Sequence, residues 1–290
     1  LIKEILYKEL CKDEMRLLEV HHIASEYYED ILEHTDALEH AFLSQNYQRF
    51  EKLFRIGARK YAATGRGNAL LRLAKHAGDD SAEGQLKRQT VEIAGHLANL
   101  DLERVGSLNA AIRLKAKGTH LAAFMERYSA LIEVSLDSAF ARFESLQRNV
   151  TLATTVDELA DDSEFTDTLF ALRRLAGFYF LTDQVEKLEE LDHRAKSLVD
   201  SSFSWIGHIH QLAIRALCAY QLGYVQDAFE SSKSCLSLSE DFGMKSSHSP
   251  SDAQFIYAAC NYEFTEIDTA LINFHSAFES AESSQQWSWY

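Results

Sequence analysis

Ile209–Phe242, IHQLAIRALCAYQLGYVQDAFESSKSCLSLSEDF, reads as two antiparallel helices meeting at Gly223. Small residues fall where the two helices would touch: Ala216, then Ala228 and Cys235, at intervals of twelve and seven. The same spacing returns downstream as Ala258, Ala270 and Ala277, and upstream as Ala176, Leu188 and Ala195 and as Ala111, Ala123 and Ala130. An apolar residue stands three places before the twelve-step position at Val185, Val225 and Ile267, with His120 the exception. From Leu188 to Ala228 is 40 residues and from Ala228 to Ala270 is 42, longer than the ~34 of a tetratricopeptide unit but of the same kind. One hairpin cannot bury its apolar face alone, so neighbours must stack. The expected fold is all-α: a superhelical array of antiparallel helix hairpins, a tetratricopeptide-like solenoid.

Composition agrees. The 290 residues are 46% hydrophobic and 25% charged, with a single proline, Pro250, and only 12 glycines; sheets need many more turn residues. The formal net charge is −15, whereas binding to a polyanion needs clustered Lys and Arg. The best basic run, Arg113–Lys117, fits a solvated helix face, so direct nucleic-acid binding is not expected. Cys11, Cys218, Cys235 and Cys260 lack CxxC spacing and read as reduced core thiols of a cytoplasmic protein. No apolar run approaches the ~20 residues that span a bilayer, so no membrane partner is expected.

In chain order, 1–30 reads as lead-in helices, with Asp13 as N-cap of the second. Residues 31–148 hold the N-terminal hairpins: a short helix to Ser44, one from Tyr47 to about Ala63, a Gly-Arg-Gly turn, and a third over Asn68–His76. A linker of Asp79, Asp80 and Ser81 then carries N-cap chemistry for Ala82–Leu100. A pair over Leu102–Ala116 and His120–Leu146 turns at Gly118. The polar stretch 149–162 reads as an irregular linker. Residues 163–290 form three hairpins, Glu164–Asp200, Phe203–Phe242 and Ser251–Ser284, the last opening after Pro250 with a capping Ser251 or Asp252.

The N-terminal third carries a resemblance. Leu1, Glu4, Leu6, Tyr7, Leu10, Arg16, Leu18, His21 or His22, Ala24 and Tyr28 follow the end of a winged-helix segment that leads into a superhelix. Asp36–Phe54, with Ala37, His40, Ala41 and Tyr47, and then Gly65-Arg66 before Leu70-Leu71, follow its next helices. Gln45 stands where glycine is usual and Phe50 where alanine is usual. The chain thereby resembles the LuxR-type transcriptional regulators of the STAND class, the family of the maltotriose-responsive maltose activator, best over residues 1–76. The resemblance implies signal transduction by a longer polypeptide: an ATP-binding domain, with magnesium, upstream and a DNA-binding helix-turn-helix downstream. This chain, which starts inside a helical pattern at Leu1, would be the sensor superhelix, receiving a small-molecule inducer or a protein partner. It contains no GxxxxGK[ST], so no cofactor is expected here. The alternative is a free-standing tetratricopeptide-like protein-interaction scaffold.

The candidate ligand- or partner-binding groove lies along the first helices of the hairpins. Phe180, Tyr220 and Tyr262 each fall four residues past a small position, and Arg173, His210 and Asp252 are read as lying near them, a set suited to a sugar, another small inducer or a peptide. The competing reading packs these aromatics between adjacent hairpins. His208 and His210 are about 200° apart on a helix and His21 and His22 also diverge, so neither pair has the i, i+4 spacing of a helical zinc site. Glu186, Glu189, Glu190 and Asp192 read as a solvated face, and the serines near 231–239 have no GxSxG elbow; no catalytic residues are assigned. Trp287, Trp289 and Tyr290 are expected to pack on a further hairpin or to mediate self-association. Enlarging Ala216 to Leu should overpack the second hairpin and cost roughly 1–3 kcal/mol; an unchanged thermal melt would refute this register.

Overall fold

The computed structural model describes residues 12–31, 33–46, 48–50, 52–54, 61, 64–76, 81–99, 101–118, 122–139, 142–154, 162–200, 204–244 and 251–283. Among these, no strand occurs and every element is helical. The expected helix over Leu1–Leu10 lies outside the described residues, as do Cys11, Tyr47, Asp79, Asp80, His120, Pro250, Trp287, Trp289 and Tyr290. The chain forms two compact units, Leu1–Leu108 and Asn109–Tyr290.

In the first unit, α1 (Glu14–Asp30) pairs with α2 (His34–Leu43), and α3 (Gly67–Ala74) with α4 (Ala82–Ala98). Asp13 caps α1 by accepting from the Arg16 N–H, and Ser81 caps α4 by accepting from Gly84, each satisfying a donor the helix itself cannot. The core is Leu38, Phe50, Leu53, Tyr61, Leu70 and Leu73. Gln45 has φ 54 and Gly65 φ 66, so the chain turns twice through left-handed backbone. The α3–α4 crossing depends on glycine. A Cβ on Gly67 would stand 2.4 Å from the Gly95 carbonyl oxygen.

The second unit begins within α5 (Leu102–Ala116) and continues through α6 (Ala122–Ala139) and α7 (Phe143–Thr154). The single helix expected over His120–Leu146 is therefore two. The Arg142 N–H bonds the Asp137 carbonyl and its Nε lies 2.9 Å from the Asp137 carboxylate, which fixes the corner between them. The expected linker 149–162 is also corrected at both ends: Asn149–Thr154 closes α7 and Asp162 opens the next helix, while 155–161 lies outside the described residues. The apolar spacing Leu146, Val150, Ala153 is buried, and Asn149 donates to Asp137 at 2.7 Å, which overrides the polar composition.

Three hairpins follow: α8 (Asp162–Leu181) with α9 (Val185–Val199), α10 (Trp205–Gln221) with α11 (Val225–Asp241), and α12 (Ser251–Glu263) with α13 (Ile267–Ser283). The first helices pack in the order α8–α10–α12, and each second helix also packs on the next first helix, α9 on α10 and α11 on α12. All nine small-position residues of these hairpins, from Ala176 to Ala277, are buried. The upstream set departs from this pattern: Ala111 is half-buried while its neighbour Ile112 is fully buried, Ala130 is buried, and the Ala123 side chain is outside those described.

The turns repeat more faithfully than the contacts. Seven residues past each first small position the backbone is left-handed: Gly118 (φ 83), Asp183 (55), Gly223 (80) and Thr265 (64). In the three C-terminal hairpins the same pair of bonds closes the helix, with Gln184 N–H to Tyr179, Tyr224 to Ala219 and Glu266 to Asn261, and Asp183, Gly223 and Thr265 to the carbonyls three residues back. This is a Schellman-type ending, which suits glycine and strains β-branched residues. A Cβ at Gly223 meets nothing within 4 Å, so its effect there would be conformational alone. Thr265→Gly should therefore stabilise the chain and Gly223→Ala destabilise it, each by about 1 kcal/mol, as read by urea denaturation; a loss in Thr265→Gly would contradict this turn geometry.

Candidate functional site: a buried charge cluster on the first helices

Arg173 leaves α8 about two turns before the helix ends at Leu181, and its guanidinium reaches past α10 to the start of α12. Its Nε donates to Asp252 Oδ2 at 2.7 Å, and one terminal nitrogen lies 3.3 Å from His210 Nδ1 on α10. Arg173, His210 and Asp252 are 4%, 6% and 4% exposed, so this is a desolvated contact spanning three successive hairpins. Guanidinium can only donate, hence His210 Nδ1 accepts and its proton sits on Nε2. Burial first, and then the Arg173 and Arg174 guanidiniums, hold the imidazole well below its usual value. His210 is thus neutral beside two cations, and Asp252, whose Oδ1 accepts from the Ala253 N–H, is the carboxylate paired with Arg173.

Two further residues belong to this cluster and were not singled out from sequence. Phe170 sits edge-on to the His210 ring, with centroids 5.6 Å apart, and the Arg174 guanidinium lies 5.0 Å over the Phe170 ring. Arg174 Nε is buried without a hydrogen-bond partner. Burial and the Arg173 charge pull the Arg174 pKa down to about 9, Asp252 opposing them, so it remains a cation at neutral pH. The repeat register held the signal. Phe170, His210 and Asp252 are one position in three hairpins, at intervals of 40 and 42, and Arg174 occupies the position that Ile214 and Ile256 fill later.

The six residues expected to share one groove form two groups instead. Phe180 and Tyr220 are neighbours, with ring centroids 6.4 Å apart, half-buried against the core of the hairpins. Tyr262 is 59% exposed. His210 is ten residues from Tyr220, about 15 Å along one helix axis at a rise of ~1.5 Å per residue, so the charged cluster does not lie beside the aromatics. His208 is exposed where His210 is buried, as their angular separation requires.

One further expectation changes. Asp192 is not on a solvated face: it is 6% exposed and accepts from Arg215 at 2.8 Å, whereas Glu186 and Glu190 are exposed. Cys218, Cys235 and Cys260 are buried free thiols; burial raises Cys218 and Cys260 to about 11, which keeps them protonated. In the first unit His21 is buried and pairs with His40, Nδ1 to Nδ1 at 2.8 Å, while His22 turns outward. Among the described residues no group of three or more His, Cys, Asp or Glu side chains could hold a metal. A cleft of about 380 Å³ opens between α7, α8 and α9, with Val150, Leu172 and Tyr179 in its wall and Lys187 and Arg194 among its charged residues.

Compared with family models, with curated proteins and with solved structures, the chain matches none. Among the described residues no helix is long and apolar enough to cross a membrane.

The lowered pKa of His210 has a definite sign in stability. The unfolded imidazole takes a proton below about pH 6.5 and the folded one resists it, so stability is present at neutral pH and is lost as pH falls through that value. His21, lowered by burial and by His40, acts in the same direction, so the contribution of His210 is read as a difference from a variant. Between pH 7 and 5, wild type should lose stability more steeply than His210→Gln, with a difference in slope of up to about 1.4 kcal/mol per pH unit. Parallel profiles by chemical denaturation would contradict a neutral buried His210.

Proposed function

We propose that this chain is a non-catalytic, ligand- or partner-sensing arm built as a tetratricopeptide-like solenoid, and that it belongs to a LuxR-type STAND transcriptional regulator acting in the cytoplasm. The observation that carries the sensing reading is the buried Arg173–His210–Asp252 contact. It ties together three successive hairpins, so it gives the array an arrangement that a ligand could favour or oppose. A ligand shifts such an equilibrium only through different affinity for its two states, and a desolvated charge cluster is sensitive to small displacements of the helices holding it.

The family reading is supported by the first unit. Gln45 adopts φ 54 where the family pattern has glycine, and Gly65 of the Gly-Arg pair adopts φ 66; both turns demand the backbone freedom that such a pattern records. In this account an ATP- and magnesium-binding switch domain lies upstream and a helix-turn-helix downstream, and this arm makes no direct contact with nucleic acid. A second reading, a protein-interaction scaffold, is favoured by α13, where Ile267, Leu271, Ile272 and Phe278 are 46%, 62%, 70% and 51% exposed. Such a face suits self-association or another protein better than a small inducer.

The flanking coding sequence separates the two: a GxxxxGK[ST] motif upstream with a helix-turn-helix downstream is expected, and a chain lacking both is a scaffold. The groove is tested by a thermal-shift screen of small molecules. A stabilising compound is expected to lose its effect in Tyr220→Ala or in Tyr262→Ala; one whose stabilisation survives both places the ligand elsewhere.

A further inference from the structure

In the α10 and α12 hairpins the position two residues before the small residue holds a fully buried isoleucine, Ile214 and Ile256. In the α8 hairpin the same position is Arg174. An arginine where the repeat calls for an aliphatic residue brings a charge to a partly buried position, where water screens it less and a counterion is favoured. Asp252, whose charge acts on Arg174, is shared with other donors. Asp252 is already engaged, Oδ2 by Arg173 and Oδ1 by its own helix. With His210 neutral, the cluster of Arg173, Arg174 and Asp252 retains one positive charge, in a chain whose formal net charge is −15. The Arg174 guanidinium lies over the Phe170 ring, with its carbon 5.0 Å from the centroid, a contact that restrains the side chain. The Nε donor is buried and unpartnered, while the side chain as a whole is only partly buried.

We propose that Arg174 anchors a site for a small oxyanion, the carboxylate or phosphate group of a small molecule, bound on the charged cluster of α8, α10 and α12. A planar guanidinium fixed against an aromatic ring presents parallel N–H donors to two oxygens of such a group. The bound anion restores neutrality to the cluster, and Arg173, held by Asp252, adds a second positive charge behind it. The site deepens the sensing role and rests on it for the consequence of binding, since it names the chemistry of the ligand's head group; binding itself does not depend on the family reading or on Tyr220.

The test is anion titration of the chain, followed by thermal shift and calorimetry, with inorganic phosphate and succinate as probes against sodium chloride at equal ionic strength. Wild type should show saturable stabilisation by phosphate or succinate beyond that by chloride, and which of the two binds tighter tells a phosphate ligand from a carboxylate one. Arg174→Ile installs the residue that the other hairpins carry, so the variant should fold with an unchanged or raised Tm and lose affinity for the preferred anion by at least about tenfold. Arg113→Gln, an exposed cation, should bind as wild type. As a direct reading on the wild-type chain, the Nε–H resonance of Arg174 should shift on saturation. No anion-specific response, an undiminished response in Arg174→Ile, or an unmoved Arg174 resonance would overturn the site. A compound that stabilises through Tyr220 in the absence of any oxyanion effect would leave the sensing role intact and remove this site alone.

Discussion

The Arg173–Asp252 ion pair joins the first and third of three stacked hairpins across 79 residues of chain, and the middle hairpin contributes His210 to it. Neighbouring hairpins already share apolar contacts, and the ion pair adds a direct polar link between helices two hairpins apart. A buried pair is not in itself a source of stability, because removing two charges from water cancels much of their attraction. What it supplies is uniqueness: any arrangement that parts Arg173 from Asp252 leaves uncompensated charge in a dry setting. The apolar layers make the hairpins stack, and the ion pair selects how three of them stack together. The neutral state of His210 follows from the same fact, since a third cation in that setting would have no anion to meet.

The turns show a comparable division between what repeats and what varies. Four residues, Gly118, Asp183, Gly223 and Thr265, hold the same left-handed place, yet only two are glycine. Thr265 is the costly one, since its branched Cβ crowds the backbone most in that region. Asp183 has a compensation: its carboxylate accepts from Gln221 on the next first helix. Position in the repeat therefore decides the conformation, and residue type decides only its cost.

Much of the fold was legible because small residues at helix crossings recur with a fixed spacing, and the hairpin limits follow from Asp183, Gly223 and Thr265 falling seven residues past them. The register weakened upstream, where Ala111 gives way to Ile112 as the buried residue. The break at Arg142 was not legible, because it rests on an ion pair with Asp137 rather than on a breaker residue. Asn149–Thr154 misled because polar and β-branched residues there include Val150 and Ala153 at helical spacing. Of the candidate site, Arg173, His210 and Asp252 were read as lying near Tyr220, and their separation from it required the helical rise to be counted along α10. Asp192 was hidden for a different reason. Its partner, Arg215, is on another helix, and no local pattern distinguishes a paired carboxylate from its solvated neighbours.

The most direct measurement is a double-mutant cycle on Arg173→Met and Asp252→Leu, by urea denaturation at neutral pH. Each single substitution should cost about 3–5 kcal/mol, with Asp252→Leu the more costly because it leaves Arg173 and Arg174 facing each other with no anion. The double variant should be more stable than either single one. Costs that simply add, within roughly 0.5 kcal/mol, would show that the pair does not hold the three hairpins together.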